Sequence, residues 1–121
     1  MNVPNRLLEL GGVEFKPFEF VIPNGTAESQ VTNMQGWTTL KIIVPPEFAG
    51  TKITPQLSYE ETPTTFYPYR NALGNEIFYP ATATTIIGIA ALDMIGVQHL
   101  KLVSDVNETN VTITIIAQRL V

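Results

Sequence analysis

The stretch VTITIIAQ, residues 111–118, decides the fold class of this chain. Apolar side chains recur at every second position from Val111 to Ala117, and most positions between them carry threonine or glutamine. Side chains of an extended strand alternate between two faces, whereas a helix would repeat its apolar positions every three or four residues. The stretch therefore predicts a β-strand with one face in a core.

The same alternation recurs along most of the chain and predicts seven or eight strands. Turn-forming residues separate these runs, for example Asn24-Gly25 and the segment around Gly74. The runs lie at 13–22, 39–44, 53–60, 66–69, 76–79, 85–91, 97–103 and 111–118. Many short strands with turns at such spacing are typical of an all-β fold. We predict an antiparallel two-sheet β-sandwich of the jelly-roll type.

Two of these runs depart from simple alternation. In the first run the apolar positions shift by one residue after Pro17, which predicts a β-bulge on an edge strand. The run 85–91 (TIIGIAA) is apolar on both faces. A neutral apolar strand of this kind aggregates if its edge is left bare, so we expect it at the centre of a sheet. The alternative is that another subunit covers it.

The length of 121 residues corresponds to one domain. Gly11-Gly12 interrupts the chain just before the first run and predicts an N-terminal arm, residues 1–12, followed by a single sandwich domain, residues 13–121. We expect Leu7 and Leu8 of the arm to contact a neighbouring subunit, and a frayed terminus is the alternative.

The charge pattern excludes several classes of partner. The net charge is −4, and the seven basic residues are scattered, which argues against binding to a nucleic-acid backbone. No apolar run approaches the ~20 residues of a membrane helix, and the first residues do not resemble a signal peptide.

Charged residues make up only 15% of the chain, against roughly 25% in an ordinary domain. Such a surface is easy to desolvate and favours a subunit with large protein contacts, with a weakly charged monomer as the alternative.

No group of residues specifies a chemistry. The chain has no cysteine and one histidine, so thiolate and multi-histidine metal sites are excluded. His99 alternates onto the polar face of its strand together with Lys101, and we expect it to be exposed and structural. A general base needs an oriented partner, which the sequence does not show. We expect no catalytic residue, no metal, no cofactor and no enzymatic activity.

The most distinctive feature is a concentration of aromatic residues between positions 59 and 79. Tyrosine is enriched at protein interfaces because it buries a large area and keeps a polar tip. About half of the aromatic residues should be core, and for these we expect Tyr59, Phe66 and Phe78. The predicted interface residues are Trp37, Tyr67, Tyr69, Tyr79, Leu7 and Leu8. Stacking of the tyrosines on sugar rings is the alternative.

The order of these features resembles small structural modules of tailed-bacteriophage virions. The likeness runs from Phe18 to the C-terminus. Its parts are Gly36-Trp37 leading to Pro45-Pro46, Leu57-Ser58-Tyr59-Glu60, Thr65-Phe66-Tyr67-Pro68, Leu73-Gly74-Asn75 and Lys101-Leu102-Val103-Ser104. Glu61-Thr62-Pro63 departs from the Asp-Gly turn expected in such modules.

The resemblance implies a β-sandwich that forms a homo-oligomer, for example a trimer, and that contacts the major capsid protein or another virion protein. It implies a virion location after synthesis in the host cytoplasm. The function it implies is that of a capsid decoration or cement protein, which stabilises the shell through subunit contacts. The alternative is a tail-fibre or head-fibre module that recognises a cell-surface glycan. The resemblance carries over no catalytic residue and no cofactor.

Overall fold

The computed structural model describes residues 12–89 and 97–120, and these ranges form nine β-strands. The strands are β1 (Val13–Ile22), β2 (Thr32–Asn33), β3 (Thr38–Val44), β4 (Lys52–Ser58), β5 (Tyr67–Pro68), β6 (Tyr79–Pro80), β7 (Thr85–Gly88), β8 (His99–Ser104) and β9 (Val111–Leu120). Within the described ranges no helix is long and apolar enough to cross a membrane.

The strands form two antiparallel sheets, which confirms the predicted β-sandwich. Sheet A has the order β1-β9-β3-β7, and sheet B has the order β2-β8-β4-β5, with β6 also paired to β4. The first strand pairs with the last, the second with the eighth, and the third with the seventh. The innermost strand of this nested pairing is β4, which pairs with β5 and β6. This nesting is one long hairpin rolled into two sheets, the winding of a jelly roll.

The stretch 111–118 lies at the centre of sheet A, between β1 and β3. Its alternate residues from Val111 to Ala117 are fully buried, as the sequence predicts. From sheet B, Ile53, Leu100 and Leu102 enter the same core with no exposed surface. Burial of one such aliphatic side chain contributes roughly 1.5–3 kcal/mol, so this layer supplies much of the folding energy.

The predicted bulge at Pro17 is absent. β1 pairs with β9 in unbroken register, with Pro17 directly opposite Ile116. Because β1 is the outermost strand of sheet A, the donor that proline lacks is not needed on its free side. The alternation therefore continues through Pro17, so Phe15 faces away from the core that holds Phe18. The shift in register lies instead in β3, between Thr39 and Lys41.

The apolar run 85–91 is not central either. Its described part forms β7, which is the last strand in the order of sheet A. Residues 90 and 91 of the run lie outside the described residues, as do residues 1–11. The division into an arm and a domain therefore stays a prediction.

Candidate interaction surface

Two short strands lie along the edge of β4 that is opposite to β8. β5 places Tyr67 opposite Leu57, and β6 places Tyr79 opposite Ile53. Between them the chain forms a hairpin over residues 69–77, in which the Ile77 N–H donates to the Tyr69 carbonyl at 2.7 Å. This margin of sheet B gathers the aromatic residues that are concentrated in the sequence between positions 59 and 79.

Tyr59, Tyr67 and Tyr69 form what we call the tyrosine cluster. The register of β4 and β5 puts Tyr67 on the same side of the sheet as buried Leu57. Tyr67 is nevertheless 64% exposed and Tyr59 60% exposed, because this margin projects past the core, while Tyr69 is half-buried and packs against it. Partial burial, and secondly the nearby Tyr69, raise the pKa of Tyr59. The three tyrosines thus belong to one margin of sheet B, along β4 and β5.

The carboxylate of Glu60 fixes the loop that carries this cluster. It accepts hydrogen bonds from the backbone N–H groups of Thr65 at 2.6 Å and Thr64 at 3.0 Å. The Ser58 hydroxyl donates to the same carboxylate at 3.4 Å. The backbone hydrogen bond from Thr65, followed by that from Thr64, lowers the pKa of Glu60. The loop thus has a defined shape, which reduces the entropy lost when its tyrosines bind a partner.

A rigid turn at the tip of the hairpin 69–77 exposes another apolar side chain. The Asn71 side-chain oxygen accepts hydrogen bonds from the N–H groups of Leu73 and Asn75, both at 3.0 Å. Gly74 has a φ of 86°, a backbone conformation that favours glycine. Leu73 at the tip is 85% exposed. Leu73 thus adds exposed apolar area to this margin of sheet B.

The aromatic residues on the opposite side of sheet B are covered by cations. The Lys101 ammonium lies 4.6 Å from the ring centroid of Phe66, and that of Lys52 lies 5.1 Å from the Phe78 ring. Such contacts stabilise exposed rings by roughly 0.5–1 kcal/mol and partly screen them from solvent. The rings covered by cations therefore lie on the side of sheet B opposite the tyrosine cluster.

The predicted interface residues differ in how far their side chains are exposed in the structure. Tyr67 is exposed and Tyr69 half-buried, but the exposure expected for Tyr79 is wrong, since it is only 7% exposed. Its position opposite Ile53 turns the ring into the core. The reverse holds for Tyr59 and Phe78, which were expected in the core and are exposed. Leu7 and Leu8 lie outside the described residues, and the interface roles of all six residues stay predictions.

Trp37 is half-buried just before β3 and packs against the core. Its ring meets Phe18 edge-on, with centroids 5.6 Å apart. The Arg119 guanidinium lies 4.6 Å from the ring and the Lys16 ammonium 5.7 Å from it. Glu14 holds Arg119 in place through a 2.7 Å ion pair. This arrangement closes the end of the core.

His99 is buried, which corrects the expected exposure. It does lie on the same face of β8 as Lys101, but Asn33 of β2 and Ser58 of β4 flank it. The loop that brings Phe66 over Lys101 crosses this face as well. His99 Nδ1 makes no hydrogen bond with the described residues.

A second exposed apolar surface was missed in the sequence. Phe15 of β1 and Ile86 of β7 are each 65% exposed and lie on the outer face of sheet A. Counting alternate residues through Pro17 without a shift would have placed Phe15 on this face. Among residues 12–89 and 97–120, no group of three or more acidic, histidine or cysteine side chains could hold a metal ion.

The comparisons with known proteins support the fold. No protein-family model matches the chain, and no curated protein matches it. Among solved structures, the chain is similar to the SPBc2 prophage-derived protein YomS, with a TM-score of 0.58 and 12% sequence identity. The alignment covers 88% of this chain and 95% of YomS. The two proteins share a fold over nearly their whole lengths.

Proposed function

We propose that this chain is a structural subunit of a bacteriophage particle, and specifically a decoration protein that stabilises a capsid through subunit contacts. The sequence resembles small virion modules from Phe18 onward, and the fold is similar to that of a prophage-derived protein. The proposed partner is the major capsid protein or another virion protein. On this proposal the chain works by binding and carries no catalytic activity.

The observation that carries the proposal is the tyrosine cluster at the margin of sheet B, together with exposed Leu73 at the tip of the hairpin that follows β5. An aromatic side chain buries roughly 150–250 Å². At ~25 cal/mol per Å² of apolar area, two exposed tyrosines and a leucine supply several kcal/mol per copy before the entropy of association is subtracted. A decoration protein repeats this contact over the whole shell, so a modest interface is sufficient.

The way these residues are held also supports a binding role. The Glu60 loop and the Asn71 turn fix the backbone on either side of the exposed rings. A pre-ordered surface loses little conformational entropy on binding. Low overall charge, at 15% of residues, keeps the desolvation cost of a large contact small.

The test is co-sedimentation with undecorated capsids of the phage that encodes the protein. We expect the wild-type chain to pellet with capsids at a saturating ratio, and Tyr59→Ala/Tyr67→Ala to weaken binding by at least about tenfold. The matched control is Phe78→Ala, which removes an exposed ring from the opposite side of sheet B and should bind normally. A wild-type protein that ignores capsids, or a double variant that binds as well as wild type, would contradict the proposal.

The second candidate is glycan binding by a fibre-type module, favoured by the same exposed rings of Tyr59 and Tyr67. Sugar rings stack on aromatic side chains, and a fixed pair of rings could accommodate such a ligand. Calorimetric titration with host cell-surface glycans separates the two functions. Saturable binding that Tyr67→Ala abolishes, without any capsid binding, would replace the decoration function by this one.

A further inference from the structure

The strand registers of sheet A arrange the side chains of its outer face in rows that run across the strands. One row across the sheet contains Pro17, Ile116, Lys41 and Gly88. The next row contains Glu19, Thr114, Ile43 and Ile86. Phe15 lies beyond the first row, opposite Gln118. These residues point away from the core, so they are a surface that the sandwich itself does not use.

This face is apolar and open. Phe15 and Ile86 are largely exposed, Pro17 is exposed, and Ile43 and Ile116 are only half-buried. Beside Ile43 and Ile86 the face continues into an open groove of about 450 Å³, whose lining includes Pro45 and Pro46. A contiguous apolar patch on a sheet face typically marks a protein contact.

The edge of the same sheet is protected, so association through the edge strand β1 is blocked. The Gln30 side chain accepts a hydrogen bond from the Val21 N–H at 2.8 Å and donates to the Glu19 carbonyl at 3.4 Å. Pro17 interrupts the remainder of that edge. Bound side chains and proline are the usual means by which proteins prevent strand addition. Strand addition at the β1 edge is therefore disfavoured, and the exposed outer face of the sheet is a separate surface for association.

The two charges of this face are opposite in sign. Lys41 and Glu19 are both exposed, and neither makes an ion pair within the described part of the chain. They lie one row and two strands apart, roughly 12 Å between Cα atoms at ordinary strand spacings. The midpoint between them falls on β9, between Thr114 and Ile116, which is near the centre of the face.

We propose that a second copy of this chain packs on this face, around a two-fold axis that crosses β9 between Thr114 and Ile116. The axis lies in the plane between the two faces and runs perpendicular to the line from Lys41 to Glu19, so the rotation brings each of these residues opposite the other residue of the second copy. Lys41 of each copy thus meets Glu19 of the other, twice per dimer. Ile43 and Ile116 lie beside the axis, so each packs near its own counterpart.

The area agrees with a specific interface. The four strands have ten, ten, seven and four residues. At ~3.3 Å along each strand and ~4.8 Å between strands, they cover on the order of 500 Å² in projection. Two copies packed face to face with full overlap would bury about 1,000 Å², the size at which specific protein interfaces begin.

The proposal goes beyond the decoration function and does not depend on it, because self-association is measured without any capsid. The measurement is sedimentation equilibrium of the purified chain over a concentration series. We expect a dimer, and we expect Lys41→Glu and Glu19→Lys each to raise its dissociation constant at least about tenfold, since each puts two like-charge pairs into the contact. The double variant K41E/E19K restores the opposite charges and should dimerise nearly as wild type does.

Two further variants complete the test. Ile86→Lys places a charge on the apolar face at an exposed position, so it should abolish the dimer without unfolding the chain. Glu61→Lys makes the same charge change as Glu19→Lys on an exposed loop of sheet B and should leave the dimer intact. A monomer at all concentrations would overturn the proposal, as would a dimer that tolerates Ile86→Lys. Monomeric wild type whose capsid binding is lost in Ile86→Lys would overturn it too, by making this face a capsid contact.

Discussion

The buried carboxylate of Glu108 accepts a hydrogen bond from the backbone N–H of Gly50, 3.1 Å away and 58 residues distant in sequence. It also accepts the Ala49 N–H at 2.9 Å and the Ser104 hydroxyl at 2.7 Å. Gly50 lies in the connection from β3 of sheet A to β4 of sheet B, and Glu108 lies in the connection from β8 back to β9. The Glu108 carboxylate therefore links the two connections that run between the sheets.

The carboxylate of Asp105 accepts hydrogen bonds from the next residues of the same connection between β3 and β4. It accepts the Thr51 N–H at 2.7 Å, the Lys52 N–H at 3.2 Å and the Thr51 hydroxyl. Four consecutive N–H groups, from residue 49 to residue 52, thus donate to two carboxylates. Hydrogen bonds to charged acceptors are stronger than neutral ones, so this junction is a main point of stability.

Glu108→Gln should lower the free energy of unfolding by about 1–3 kcal/mol. The amide keeps the shape of the side chain but offers one oxygen in place of two, and its NH2 group faces N–H donors. Urea unfolding at neutral pH measures the change. Glu47→Gln, at an exposed position in the same connection as Gly50, is the control and should change stability little. Equal stability of the two variants would contradict the role of Glu108.

Gly50→Ala should destabilise the fold by about 1–3 kcal/mol, as overpacking of a filled site does. A Cβ at this position would lie 2.4 Å from Asp105 Oδ1 and 2.5 Å from Ser104 Oγ. Gly88→Ala is the matched control, because a Cβ there meets nothing within 4 Å. Thermal unfolding of both variants in dilute solution is the measurement, and a melting temperature of Gly50→Ala at or above that of the control would disprove the close packing.

Asp105 should make stability depend on pH in the acid range. Hydrogen bonds from the Thr51 hydroxyl, and then from the Thr51 N–H, lower the pKa of Asp105 from 3.8 to about 2. Because the folded state favours the ionised form, the contribution is fully present above about pH 4 and is lost as the pH falls toward 2. The stability difference between wild type and Asp105→Asn should therefore shrink over this interval in urea titrations. A difference that stays constant from pH 5 to pH 2 would exclude this origin.

Arg119→Gln should expose the ring of Trp37. The guanidinium covers that ring at 4.6 Å, and its loss should shift tryptophan emission to longer wavelength and lower stability by about 0.5–1 kcal/mol. Trp37 is the single tryptophan of the chain, so the signal has one source. Arg70→Gln removes an arginine that donates a hydrogen bond to the Gly74 carbonyl, and it should leave the emission unchanged. Unaltered emission in both variants would refute the contact.

The sequence by itself determined the fold class. Alternation with a period of two in 111–118 and in the other long runs predicted strands, and turn residues between them predicted two antiparallel sheets, as observed. The inward residues of β9 were identified because threonine marks one face and aliphatic side chains mark the other. Where one face is polar, the pattern alone indicates which side is buried.

The tertiary structure decided the surfaces, because a period of two defines two faces without saying what lies over each. Phe15 and Ile86 are exposed because β1 and β7 turn their outer face away from sheet B, and the sequence marks both sides of these strands with apolar residues. Tyr67 and Tyr79 occur in similar Tyr-Pro pairs, yet Tyr67 is opposite Leu57 at a projecting margin and Tyr79 is opposite Ile53 over the core. Burial at such positions depends on which residue of a distant strand pairs with them. That register is fixed only when the chain folds into its tertiary structure.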